Sequence, residues 1–234
     1  MTDRGDERSR EEQTDSDERS REEQTDSENE LDPDYYKHGG FPKFEAAQPG
    51  PGFGRFLTAM RRVQDLAVSA DPDPDTWTAA ADRAEALVSL LEDFEAAEGV
   101  GPANRVPSLP GAGSLLMPPY HVVTFDADAV ELTVRFSRFH VGGNYAVHGG
   151  VLPLMFDSMF GMVIHAAGRP ISRTAFLHVD YRNVTPIDTE LTMRGWLREA
   201  EGRKAFVNAE LRRPDGTLCA EAHGLMVRLL PGQP

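Results

Sequence analysis

Residues 142–163, GGNYAVHGGVLPLMFDSMFGMV, constrain the fold more than any other part of the chain. The segment begins as a glycine-rich loop and continues as an almost wholly apolar run over residues 151–167. Proline is tolerated in the first turn of a helix, so Pro153 indicates a helix that begins just before it. A helix that is apolar nearly all round is expected to be buried nearly all round. The exception is Asp157, whose burial would be costly unless the carboxylate is paired or used.

The apolar pattern changes to a period of two around this helix, which predicts strands. Two short strands are expected before the helix and four after it, with turns at Glu201-Gly202 and Asp215-Gly216. The predicted strands cover residues 120–125, 130–136, 173–183, 190–200, 204–213 and 217–230. An antiparallel sheet must cover its apolar face, and the apolar helix is the element available for that. The sequence therefore predicts an α+β fold in which a curved antiparallel sheet wraps around one central helix.

The chain divides into three predicted regions. Residues 1–34 repeat DERSREEQTDS in tandem and lack the apolar side chains that could offset the entropy of ordering, so we expect a disordered acidic tail. Residues 35–117 carry an irregular arm and two helically spaced apolar stripes, which predict an N-terminal helical hairpin. Residues 118–232 hold the sheet and the central helix.

Charge and composition exclude several classes of function. The formal net charge is −14, and residues 1–34 contribute −10 of it, from 15 acidic and 5 basic side chains. The acidic balance and the lack of a basic face argue against nucleic-acid binding. No apolar run reaches the roughly 18 residues of a membrane span, and no signal peptide is evident, so we expect a cytoplasmic protein. The single Cys219 and the scattered histidines indicate no metal site.

The motifs around the central helix resemble those of a known family. They are the loop Gly142-Gly143-Asn144, the triplet His148-Gly149-Gly150, Asp157 nine residues after the histidine, and a strand from Thr174 to Tyr181 followed by Pro186. This combination resembles the hotdog-fold acyl-CoA thioesterases of the 4-hydroxybenzoyl-CoA and PaaI groups, and the branch named thioesterase superfamily member 4. The resemblance covers residues 118–230 and implies a hotdog fold with an added N-terminal helical hairpin.

The resemblance also implies a catalytic site. In that family a carboxylate matching Asp157 acts on a thioester whose oxygen is bound at a helix start of the partner subunit, so a homodimer, and possibly a dimer of dimers, is implied. We favour general-base catalysis by Asp157 over nucleophilic attack, with Thr174 orienting the water. Unsatisfied N–H groups at a helix start suit the developing oxyanion, which assigns that role to Gly149 with His148 beside it. Some relatives place an asparagine six residues before the histidine, where this chain has Gly142; Asn144 is a displaced candidate.

The implied substrate is a coenzyme A thioester, with no cofactor. Fatty acyl groups of medium or long chain, or aryl groups, fit the methionine- and phenylalanine-rich helix better than charged ones. We assign substrate binding to Gly150 at the helix start and to Arg173 and Arg182, whose charges would suit the phosphates of CoA. Two alternatives remain open at this point: a hotdog enoyl-CoA hydratase or dehydratase that uses His148 with Asp157, and a non-catalytic acyl-CoA-binding module.

Overall fold

The computed structural model describes residues 46–97 and 99–230. The predicted acidic tail with its tandem repeat, and the arm up to residue 45, lie outside the described residues. Two helices precede the sheet: α1 spans Pro51–Ala67 and α2 spans Pro74–Leu91. The side chain of Asp73 caps α2 by accepting the Thr76 N–H at 2.9 Å. The helices confirm the predicted N-terminal addition to the α+β fold.

Six strands form one antiparallel sheet. Their spatial order is β1-β2-β6-β7-β8-β5, and a separate two-stranded hairpin is made by β3 and β4. The strands are β1 Tyr120–Phe125, β2 Val130–Arg135, β3 Val141–Gly143, β4 Ala146–Val147, β5 Ser172–Tyr181, β6 Glu190–Glu201, β7 Lys204–Arg212 and β8 Leu218–Arg228. The sequence predicted all six strands of the large sheet. It did not predict the small hairpin, because three-residue and two-residue strands leave no periodic signal.

The central helix α3 spans Val151–Ala166 and packs on the concave face of the sheet. Phe156, Met159 and Phe160 have no exposed surface, and they meet buried residues of β2, β6 and β7 in one core. Two glycines of the sheet leave the space that this helix needs to pack closely against the strands. A Cβ at Gly195 would lie 2.6 Å from Cγ of Met159, and one at Gly224 would lie 2.5 Å from Cε2 of Phe160. The predicted curved sheet around one helix is confirmed.

Candidate active site

The hairpin in front of α3 turns at Asn144 and Tyr145. Both residues have positive φ, of 49° and 57°, which is the requirement of a two-residue type I′ turn. Asparagine is one of the few non-glycine residues that adopts this conformation at low cost. The structure therefore gives Asn144 an evident turn role, and its proposed part in the oxyanion site stays a prediction.

The triplet His148-Gly149-Gly150 forms the start of α3. His148 caps this start twice: its Nδ1 accepts the Gly150 N–H at 3.0 Å, and its carbonyl oxygen accepts the Val151 N–H at 3.0 Å. The Gly149 N–H meets no acceptor in the part of the chain that the structure describes. Gly149 thus keeps an unsatisfied donor, as predicted from the helix start, whereas the Gly150 N–H is already occupied. The Gly150 N–H is therefore not free to bind a substrate, and the assignment of Gly150 to substrate binding stays a prediction.

A tyrosine that the sequence did not single out as functional holds this loop in place. The Tyr181 hydroxyl at the end of β5 donates to the Gly149 carbonyl oxygen at 2.8 Å. A few residues later the Thr185 carbonyl accepts the Val147 N–H at 2.9 Å, and Pro186 bridges to Ala146. The Tyr…Pro motif is therefore the support of the helix start. Sequence reasoning quoted both residues as family markers but could not assign this contact, because it joins positions 32 residues apart.

Gly142 lies where the two strands of the hairpin approach each other closely. A Cβ at Gly142 would lie 2.8 Å from the Cα of His148. No ordinary contact is that short, so any larger residue would displace the backbone that precedes Gly149. The two strands of the hairpin are so close here that position 142 has no room for a side chain.

Asp157 of α3 and Thr174 of β5, which the family resemblance implied as partners in the site, are brought together. The Thr174 hydroxyl donates to Oδ1 of Asp157 at 2.7 Å. The pairing of β5 with β8 shifts register between Thr174 and Phe176, and such bulges re-aim side chains. Hydrogen bonding to the hydroxyl fixes one carboxylate oxygen and leaves the other to act on a bound molecule.

The expectation that α3 is buried nearly all round is wrong for one face. Asp157, Gly161 and His165 follow each other at helical spacing, and all three are exposed. The carboxylate is tolerated in this apolar helix because none of the elements in residues 46–97 and 99–230 covers its side of α3. It therefore does not carry the burial cost that the sequence suggested.

An apolar groove with a cavity volume of about 660 Å³ runs along this exposed face. Asp157 lies in the groove together with Leu154, Met162 and His165 of α3, and with Leu116 and Met117 from the segment before β1. The core side chains Met155, Phe156, Met159 and Phe160 point the other way, into the protein interior. Of the Met and Phe residues on α3, only Met162 lines the groove.

The two predicted phosphate-binding arginines differ in environment. Arg182 donates through Nε to Glu221 at 2.7 Å and lies 3.3 Å from Asp180. The hydrogen bond to Glu221, followed by the charge of Asp180, raises the pKa of Arg182, so its charge is already matched. This pairing argues against the assignment of Arg182 to a phosphate. Arg173 is exposed next to Thr174, but alternation along β5 directs it to the opposite sheet face.

The two halves of the predicted site are well separated within one chain. Gly149 precedes Asp157 by eight residues, which corresponds to roughly 12 Å along a helix axis. A carbonyl oxygen held by the Gly149 N–H therefore lies too far from the Asp157 of the same chain for that carboxylate to direct water at its carbon. Within one chain, these two groups therefore do not form one site.

A second cavity of about 360 Å³ lies between α1 and strands β1 and β2. Its lining mixes cations and carboxylates, including Arg61, Asp65, Arg135 and Glu190. None of the predicted site residues lines this cavity, so we do not assign the reaction to it.

The described residues offer neither a metal-binding cluster nor a membrane-spanning helix. Within residues 46–97 and 99–230, no group of three or more His, Cys, Asp or Glu side chains is arranged to hold a metal ion. None of the helices in the same ranges has both the length and the apolar character needed to cross a bilayer.

Comparison with protein families identifies the region that holds this site. Residues 144–220 match the model of the thioesterase superfamily. The acyl-coenzyme A thioesterase THEM4 of Rattus norvegicus is 34% identical over 89 residues, which is 38% of this chain and 38% of the relative. The Xenopus laevis THEM4 protein is 34% identical over 86 residues, or 36% of this chain and 38% of the relative. The matches thus span well under half the length of these curated relatives.

A solved structure extends the similarity to most of the chain. The crystal structure of a thioesterase superfamily protein aligns with a TM-score of 0.66 and 25% sequence identity, covering 79% of this chain and 94% of the other. This agreement confirms the hotdog fold and the predicted resemblance to the thioesterase superfamily.

Proposed function

We propose that this chain, whose residues 144–220 match the model of the thioesterase superfamily, is an acyl-CoA thioesterase that hydrolyses fatty or aryl acyl-CoA to the free acid and CoA. The observation that carries the proposal is the Thr174–Asp157 hydrogen bond at 2.7 Å on the floor of an apolar groove. The partial similarity to acyl-coenzyme A thioesterases supports the substrate class.

The proposed reaction uses Asp157 as a general base. Water attacks the thioester carbon while one of its protons passes to the Asp157 carboxylate, and the carbonyl oxygen gains negative charge. The Gly149 N–H of a second copy stabilises this oxyanion. The intermediate collapses by breaking the C–S bond, and the departing CoA thiolate takes the proton from Asp157. Thr174 orients the carboxylate throughout.

The position of β5 supports a homodimer as the working unit. β5 pairs with β8 on one side and with no described strand on the other, so its second edge is open. Thr174 near its start is tied to Asp157, and Tyr181 at its end is tied to Gly149. These two positions are seven residues apart, or roughly 23 Å along an extended strand.

An antiparallel pairing of β5 with the β5 of a second copy would join the two half-sites. If the two-fold axis passes between the His178 residues of the two copies, and Ala175 is skipped in this pairing as it is in the pairing with β8, Thr174 of one copy lies opposite Tyr181 of the other. The Asp157 carboxylate of one subunit then faces the Gly149 N–H of its mate. Pairing would also remove an exposed sheet edge.

The hydratase alternative is weakened by the contacts of His148. Its Nδ1 accepts the Gly150 N–H, which assigns the ring to capping the helix start rather than to proton transfer through that nitrogen. No observation favours the non-catalytic module over the enzyme, since Asp157 is accessible and oriented.

The decisive experiment measures release of the CoA thiol from acyl-CoAs that range from acetyl to palmitoyl and include benzoyl and phenylacetyl groups. We expect turnover by the wild type and a loss of at least about a hundredfold in Asp157→Ala. Asp128→Ala, which removes an exposed carboxylate from the β1–β2 turn, serves as the matched control and should be fully active. Double-bond absorbance with an enoyl-CoA substrate and no thiol release would instead establish the hydratase. Binding without turnover of any thioester would establish the non-catalytic module.

The subunit exchange across the site has its own test. Asp157→Ala and Gly149→Pro subunits, each inactive alone, are mixed after partial unfolding and refolded together. If Asp157 and the Gly149 N–H of one site come from different chains, a heterodimer has one site with both groups intact, so activity should reappear. Gly149→Ala keeps the N–H and is the control for the proline variant. Mixed dimers that form but stay inactive would refute a site shared between subunits.

A further inference from the structure

A loop before the sheet is fixed to the first helix by one side chain. We call residues 104–118 the clamped loop. The guanidinium of Arg61 on α1 donates to three carbonyl oxygens of this loop, those of Met117 at 3.0 Å, Ser114 at 2.6 Å and Pro110 at 3.3 Å. The planar guanidinium of arginine can reach all three carbonyl oxygens from two separate nitrogens, whereas a lysine has a single ammonium nitrogen. The backbone of the loop is therefore held at the distance from α1 that Arg61 sets.

Apolar packing reinforces this attachment. A Cβ at Gly54 of α1 would lie 3.2 Å from Leu109, and one at Gly113 would lie 3.3 Å from the ring of Phe53. Ser114 and Met117 are buried, at 4% and 6% exposure. The loop is thus part of the folded core and not a free linker.

The clamped loop also forms one wall of the groove that contains Asp157. Met117 Sδ accepts the hydroxyl of Ser158, the residue next to Asp157, at 3.4 Å. Leu116 lines the same groove, yet its side chain is 72% exposed. A large apolar side chain that stands open beside the predicted reaction centre gains stability only if an apolar molecule covers it.

The floor of the groove has room for such a molecule. A Cβ at Gly161 would meet no atom within 4 Å, so the helix surface one turn beyond Asp157 is open. The groove continues to His165, eight residues from Asp157, or roughly 12 Å along the axis of α3. This is a slot suited to an extended hydrocarbon chain that starts at the reacting carbonyl.

We propose that Leu116 and Met117 of the clamped loop, positioned by Arg61, form the acyl-chain wall of the groove and determine which acyl lengths the enzyme accepts. The proposal rests on the function proposed above. The clamped loop and α1 both lie outside residues 144–220, the part that matches the thioesterase superfamily. Chain-length selection is therefore assigned to the N-terminal addition, while the groups that act on the thioester belong to the hotdog domain.

The first test separates binding from turnover by using non-hydrolysable S-alkyl-CoA thioethers of increasing chain length. In the wild type the Kd should fall as the alkyl chain lengthens. In Leu116→Ala the ratio of the short-chain Kd to the long-chain Kd should be about tenfold smaller than in the wild type. Leu90→Ala removes the same side chain at a similar exposure of 66% on α2, away from the groove, and should behave as wild type. Short-chain thioethers should bind all three proteins alike.

The second test fills the groove from its floor. Gly161→Leu adds a side chain where the structure has open space, so we expect it to fold and to reject long chains by at least about tenfold while it still accepts acetyl-CoA. Arg61→Lys loses the three-carbonyl fork, and should change the KM for long-chain substrates with little change in kcat for acetyl-CoA. A merely structural role of Arg61 would instead lower activity equally for all chain lengths.

The outcomes distinguish this proposal from the proposed function. If no thioester is hydrolysed but Leu116→Ala and Gly161→Leu alter thioether selectivity, the function is wrong and the acyl wall is right. If thioesters are hydrolysed but both variants bind and turn over every chain length as the Leu90→Ala control does, the acyl wall is refuted.

Discussion

The hydrogen bond between Thr174 and Asp157 gives the sharpest quantitative prediction. The perturbation is a double-mutant cycle of Thr174→Val, which keeps the side-chain shape but removes the hydroxyl, and Asp157→Asn, which removes the basic carboxylate. Thr174→Ser is the matched control because it retains the hydroxyl donor. Asp157 is exposed in the groove, and Thr174 is half-buried and does not belong to the buried core cluster, so neither variant opens a core cavity.

The expected magnitudes follow from the contact. Loss of a general base costs about 100- to 10,000-fold in kcat. A hydrogen bond to a charged group contributes about 1.5–3 kcal/mol, and the partial exposure of this 2.7 Å contact favours the lower end. About 1.5 kcal/mol corresponds to roughly a tenfold loss in kcat for Thr174→Val. Thr174→Ser should stay within about threefold of wild type, since it keeps the bond but gains rotational freedom.

The critical quantity in this cycle is the coupling free energy between the changes at positions 174 and 157. If Thr174 acts only by orienting the Asp157 carboxylate, its removal should cost little once position 157 is asparagine, because no base remains to be oriented. The assay is the initial rate of CoA thiol release under saturating substrate, with thermal melting to confirm that the four proteins of the cycle and the Thr174→Ser control all fold. A full tenfold loss from Thr174→Val in both backgrounds would show that the two residues act independently, and would refute the assigned role.

Three further predictions concern the parts that support the site. Tyr181→Phe removes the hydrogen bond to the Gly149 carbonyl, worth about 0.5–1.5 kcal/mol, and should lower kcat about two- to tenfold at unchanged KM in the thiol-release assay. Gly224→Ala places a Cβ 2.5 Å from the Phe160 ring, so urea unfolding should show a loss of about 1–3 kcal/mol. Burial lowers the pKa of His140, so the unfolded chain binds more protons than the native state between that lowered pKa and the ordinary value of about 6.5. The free energy of unfolding should therefore fall as the pH drops through this window, and it should fall less in His140→Asn. A urea midpoint that depends on pH equally in the wild type and in His140→Asn would contradict this role of His140.

The sequence predicted the fold because its signals are local and repeated. Each strand of the large sheet carries several alternations, and α3 carries four turns of apolar residues that Pro153 helps to place. Turn residues such as Gly202 and Gly216, both with positive φ, mark the hairpins. Patterns of this kind are redundant, so single exceptions such as Asp157 do not hide them.

The site was predictable only in part, since its contacts join distant positions. The resemblance of the motifs to the thioesterase family identified Asp157, Thr174 and Gly149 as candidates. They could not show that the Gly150 N–H is taken by His148, or that Arg182 is paired with Glu221 39 residues away. Exposure of the Asp157 face was missed for a related reason: an apolar stripe indicates that a surface will be covered, but not whether the same chain covers it.

The strand β5 gives the family motif a physical meaning that residue spacing alone does not supply. Its start carries Thr174, which orients the carboxylate, and its end carries Tyr181, which fixes the peptide next to the oxyanion donor. In an antiparallel dimer the start of β5 in one copy lies beside the end of β5 in the other. The length of β5 therefore sets the distance between the Asp157 carboxylate and the Gly149 N–H in both sites. Because neighbouring residues of a strand face opposite ways, a change of one residue between Thr174 and Tyr181 would turn one of the two contacts away. The spacing of the motif is thus a requirement of the proposed dimer, and not only of the sheet in a single chain.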